Sequence, residues 1–70
     1  MLTIGEAVRK ARTDKNMSRC ELARKSGVMA TTIRAWEHDI TNPTLLNLWA
    51  VADALCMSID ELVGRTITND

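Results

Sequence analysis

The chain has 70 residues, nine basic and nine acidic side chains, no formal net charge and 46% hydrophobic residues, yet neither Tyr nor Phe. That length allows one small domain with a single core, here aliphatic with Trp and Met, and argues against an enzyme cleft. No apolar run approaches the ~20 residues of a membrane span and no charged-then-apolar signal segment opens the chain, so a cytoplasmic location is expected. Cys20 and Cys56 lack the close pairing of a zinc or redox motif and are expected as free thiols. Neither a metal nor a cofactor is expected.

Thr3 with Glu6 forms an S/T-x-x-E capping box that opens a first helix, with Ile4, Ala7, Val8 and Ala11 on its inner stripe. This helix should end near Lys15, where Asn16 tolerates the left-handed exit. Ser18 and Glu21 form a second box, opening a helix with Leu22 and Ala23 inward and a stop near Ser26. Gly27 suits a left-handed turn because it has no side chain to clash, and Val28 anchors that turn. The next helix turns Met29, Ile33 and Trp36 inward and leaves Ala30, Thr31, Arg34 and Ala35 on a small, polar outer face.

A loop is expected from Asp39 to Pro43, followed by Thr44 as the cap of a fourth helix. Leu45, Leu48, Val51, Ala52 and Leu55 form its core stripe. Leu46 and Trp49 lie off that stripe; in so small a domain they read as a widening of the buried face, with a surface for a protein partner as the alternative. Ser58 and Glu61 make a third box, opening a short helix with Ile59, Leu62 and Val63 apolar before Gly64 closes it. A mobile tail is expected from Arg65. The pattern is all-α, one domain over residues 1–70 with its core between residues 4 and 64.

Charge is divided along the chain. Residues 1–36 hold eight basic and three acidic side chains, a net +5, whereas residues 37–70 hold one basic and six acidic, a net −5. A molecule polarised in this way presents one side to phosphates and repels them with the other.

The stretch from Ser18 to Asp39, SRCELARKSGVMATTIRAWEHD, carries two short helices around a glycine turn, with a small residue (Ala23) four before Gly27 and Val28, Ile33 and Trp36 at buried positions. It resembles the Cro and phage-repressor (XRE-like) helix-turn-helix family, and the resemblance runs from about Ile4 to Gly64. It implies a five-helix, lambda-repressor-like bundle whose second motif helix enters the DNA major groove. It further implies a partly buried ion pair between Arg12 and Glu37, phosphate contacts from Ser18, Arg19, His38, Thr41 and Asn42, and dimerisation around the last helices, with Met57, Ile59, Val63 and Ile67 as candidates. Three features depart from the family pattern. Met29 stands where Ser or Thr usually caps the recognition helix, Asp39 and Cys56 occupy helix exits where Gly or Asn is usual, and Ala30 and Thr31 replace the Gln or Arg often found there.

Base contacts are therefore assigned to Ala30, Thr31, Thr32, Arg34 and Ala35. Threonine hydroxyls offer single hydrogen bonds, the methyls pack on thymine, and Arg34 is long enough for guanine or a phosphate. No nucleophile–base set, phosphate-cradling loop or metal cluster is assembled, so no enzyme is expected. The leading reading is a double-stranded DNA-binding transcriptional regulator, a homodimeric repressor on an inverted-repeat operator. A protein-interaction module on the same fold, such as an antitoxin or antirepressor, is the alternative.

Overall fold

The computed structural model describes residues 3–64, and five helices occupy these described residues: α1 (Ile4–Asp14), α2 (Arg19–Ser26), α3 (Ala30–Glu37), α4 (Leu45–Ala54) and α5 (Ile59–Gly64). No strand occurs among the described residues, and the expected five-helix bundle is borne out. The expected tail, with Ile67, lies outside the described residues.

The helix starts follow the capping chemistry. At α1 the Thr3 hydroxyl accepts from the Glu6 N–H at 3.1 Å, while the Thr3 N–H donates to the Glu6 carboxylate at 2.8 Å. Ser58 and Glu61 make the same reciprocal pair, at 3.1 and 3.0 Å, before α5. Thr44 caps α4 through the Asn47 N–H at 3.3 Å. The box expected before α2 is only half made: the Ser18 hydroxyl accepts from the Glu21 N–H at 3.0 Å, but the Glu21 carboxylate turns to Lys25 at 3.6 Å. Met29 precedes α3 with no side-chain cap, and neither Thr31 nor Thr32 supplies one.

Asn16, Asp39 and Cys56 leave their helices at φ 55°, 58° and 56°, and Gly27 at 78°. Glycine adopts this region without strain and Asn or Asp with little, whereas a cysteine brings its Cβ against the following carbonyl.

The core joins Ala7, Val8 and Ala11 of α1 to Leu22 of α2, Ile33 and Trp36 of α3, Leu48, Val51 and Ala52 of α4, and Leu62 of α5, with Leu55 closing α4. Burying each of the larger side chains stabilises the fold by about 1.5–3 kcal/mol. Two buried positions escaped the periodicity, Met17 between α1 and α2 and Gly5 within α1. Gly5 faces the end of α3 so closely that a Cβ there would run into the Trp36 carbonyl.

Four apolar assignments are corrected. Leu45, expected in the core stripe, is 66% exposed, and Leu46 and Trp49, expected to widen it, are 76% and 57% exposed. Helix α4 is apolar on nearly every side, so a 3.6-residue period fits several faces equally, and packing against α2 and α5 selects the one carrying Leu48, Val51 and Leu55. Met29, expected to face inward, is also exposed; as the extended residue before α3 (φ −64°, ψ 142°), it does not share the helix's phase.

Candidate nucleic-acid interface

Gly27 sets the angle between α2 and α3, and its N–H closes α2 on the Ala23 carbonyl at 2.9 Å. Val28 is buried in the turn, and Leu22, Ile33 and Trp36 clamp the two helices onto the core. With these inward, α3 leaves Thr31 and Arg34 exposed, while Ala30, Thr32 and Ala35 are half-exposed along the same helix. None of these five makes a side-chain hydrogen bond or ion pair with another described residue. The outer face is therefore short, polar and uncommitted.

The residues expected to grip phosphates divide into two groups. Ser18, His38, Thr41 and Asn42 are exposed, Ser18 as the cap of α2, His38 at the exit of α3 and the other two in the loop before α4. Arg19 is instead half-buried and bonded within the protein, its Nε donating to Glu37 Oε1 at 2.8 Å.

That bond belongs to a larger network. The Arg12 Nε donates to Glu37 Oε2 at 2.8 Å and its Nη2 to Oε1 at 3.1 Å, so the expected Arg12–Glu37 pair is present in a two-pronged form. Arg12 Nη1 donates to the Met17 carbonyl at 2.7 Å. The Glu37 side chain is only 1% exposed, against 11% for Arg12 and 34% for Arg19. One carboxylate thus binds α1, the start of α2 and the end of α3, and each of its oxygens is satisfied. Sequence reasoning missed the Arg19 arm, because a pairing 18 positions apart leaves no periodic trace; only the opposite charges hinted at it.

Around this unit Arg9, Lys15, Arg24 and Arg34 are exposed and form no ion pair among the described residues. Lys10 and Lys25 lie beside carboxylates of their own helices, Asp14 at 3.8 Å and Glu21 at 3.6 Å. Such surface pairs contribute ~0–1 kcal/mol and yield readily to a phosphate.

On α4 and α5 a groove of about 300 Å³ is lined by Leu45, Trp49, Asp53, Met57, Ser58, Ile59 and Asp60. It brings together two of the expected dimer residues, Met57 and Ile59. Val63 is half-buried against the core, and Ile67 lies outside the described residues. The two thiols, Cys20 and Cys56, are free and exposed. No helix among the described residues is long and apolar enough to cross a membrane.

A family model described as Helix-turn-helix matches residues 8–62. The chain belongs to this family. It is 35% identical over 69 residues to the cryptic phage CTXphi transcriptional repressor RstR of Vibrio cholerae serotype O1 (strain ATCC 39315 / El Tor Inaba N16961), across 99% of this chain and 62% of that protein. It is 30% identical over 64 residues to the immunity repressor protein of Bacillus phage phi105, across 91% of this chain and 44% of that protein. The chain therefore spans less than two thirds of the length of either curated relative. Among solved structures, the P22 c2 repressor protein in complex with a synthetic operator superposes with a TM-score of 0.79 at 32% identity, covering 89% of this chain and 94% of that one. The helix-turn-helix is therefore a phage-repressor type of motif, as the Ser18–Asp39 stretch indicated.

Proposed function

We propose that the protein is a double-stranded DNA-binding transcriptional repressor that recognises its operator as a homodimer. The observation that carries this reading is the outer face of α3, whose side chains have no internal partners while everything behind them is locked to the core. A solved P22 repressor–operator complex on the same fold supports it. In this reading α3 enters the major groove, Thr31 and Arg34 reach base edges, and the Ala30, Thr32 and Ala35 side chains pack on thymine methyls or the groove wall. Ser18, Arg19, His38, Thr41 and Asn42 hold the flanking backbone, which fixes register without reading sequence.

Short side chains on one eight-residue helix discriminate few base pairs, so two copies on an inverted repeat are needed for specificity. The groove beside Leu45 and Trp49 is the surface assigned to the second copy. Its walls carry Asp53 and Asp60 and no basic side chain, so pairing two copies there brings like charges together. Salt then acts with opposite signs, screening repulsion between the copies and weakening the grip on phosphates.

Selection of bound duplexes from a random pool, followed by mobility shift and sedimentation across a salt series, tests this. The expected result is an inverted repeat with half-site centres about 34 Å apart. Affinity for it should fall steeply with salt, while free-protein dimerisation strengthens. Salt-insensitive affinity for the best duplex would refute phosphate neutralisation, and one chain per specific site would refute the dimer. Exposed Leu46 and Trp49 favour a second reading, a protein-interaction module on the same fold; that reading takes over if no duplex is retained.

A further inference from the structure

We infer that Glu37 is a positioning residue for the DNA backbone: through the Nε of Arg19 it aims the outer edge of that guanidinium at a phosphate flanking the groove that α3 enters. The inference rests on the DNA-binding reading above and assigns Glu37 a role beyond its pairing with Arg12.

Two guanidinium groups share one carboxylate, so the cluster keeps a surplus positive charge. Where that charge can act follows from the hydrogen bonds. Arg12 spends Nε and Nη2 on Glu37 and Nη1 on the Met17 carbonyl, and its side chain is 11% exposed. Arg19 spends only Nε, and its side chain is 34% exposed. Its two terminal nitrogens have no partner among the described residues. A guanidinium is planar, so fixing the Nε edge fixes where the opposite edge points, and that edge presents parallel donors suited to two phosphate oxygens.

The placement suits a backbone clamp. Arg19 is the first residue of α2, where first-turn N–H groups have no intrahelical acceptor and the helix dipole favours an anion. Glu37 is the last residue of α3, immediately after buried Trp36. The carboxylate thus links the helix assigned to base reading with the side chain assigned to the phosphate. A lysine at position 19 keeps the charge but has one ammonium, which must choose between Glu37 and the phosphate.

Because a backbone contact is independent of sequence, a 20-base-pair duplex of mixed sequence at low salt is a sufficient probe, read by fluorescence anisotropy alongside thermal melting of each variant. Arg19→Ala should lower affinity about tenfold and flatten the slope of log affinity against log salt by about 0.9 per chain. Arg19→Lys should keep the slope yet lose most of the same affinity. Glu37→Gln should weaken binding in the parent and have no further effect in the Arg19→Ala background, which marks action through Arg19. Parent-like binding by Arg19→Lys overturns the inference, as do variants that melt earlier but bind with unchanged affinity and slope while folded. If Glu37→Gln does not fold, the Arg19→Lys and Arg19→Ala pair decides the matter. Absence of duplex binding by the parent protein overturns the DNA-binding reading itself and this inference with it.

Discussion

Replacing Gly5 with alanine should destabilise the protein, although alanine is the better helix former. In a helix interior the exchange favours folding by ~0.5–1 kcal/mol, because glycine loses more backbone freedom. Against this, the added Cβ meets the Trp36 carbonyl, a backbone atom on a helix whose Trp36 side chain is 2% exposed. A rotating side chain would relieve such a contact; a clamped carbonyl does so only if α1 and α3 separate. Overpacking of this kind costs ~1–3 kcal/mol or more. Separation also stretches the Arg12–Glu37 bond of 2.8 Å, which bridges the same two helices, so the upper end of the range applies. A net loss of about 2 kcal/mol lowers the melting temperature of a domain this small by ~10 °C. Thermal unfolding followed by circular dichroism measures it, with Gly64→Ala as control because a Cβ there meets nothing within 4 Å. A Gly5→Ala protein that melts at or above the parent would refute the close approach of α1 and α3.

Arg12→Ala leaves Glu37 buried with one partner in place of two and the Met17 carbonyl without its donor; urea denaturation should show a loss of ~3–5 kcal/mol, the usual cost of breaking a buried pair. Met29→Ser supplies the missing cap of α3 and should raise stability by ~1 kcal/mol in the same assay, the serine hydroxyl accepting a first-turn N–H. Cys56→Gly relieves the left-handed cysteine at φ 56° and should stabilise by ~1 kcal/mol in thermal melts, whereas Cys56→Val should destabilise.

What was legible in the chain was local. Thr3 and Glu6, or Ser58 and Glu61, lie three residues apart and satisfy each other within one turn, so their boxes can be recognised without knowing the fold. Gly27 announces its turn for the same reason. The Arg12–Glu37 pair spans 25 positions and came from family resemblance, since no periodicity connects the two residues. Arg19 joined that pair unannounced, because the resemblance offered it a different partner. Gly5 was silent because a close approach depends on where another helix passes. Leu45, Leu46 and Trp49 were misplaced because an all-round apolar helix gives no preference for one buried face, and only its neighbours decide. The outer face of α3 was legible as small and polar, and its lack of internal partners became visible only with the side chains in place.

That lack of partners has an evolutionary consequence. Substitutions at Thr31 or Arg34, the exposed members of that face, break no hydrogen bond or ion pair, and exposed changes of this kind usually alter stability by about 0.5 kcal/mol or less. If α3 reads bases as proposed, mutations there are nearly invisible to selection for a folded protein and fully visible to selection for the target. Lineages sharing this scaffold can therefore drift apart in what they recognise without crossing an unstable intermediate, and a library randomised at these positions should yield mostly folded members.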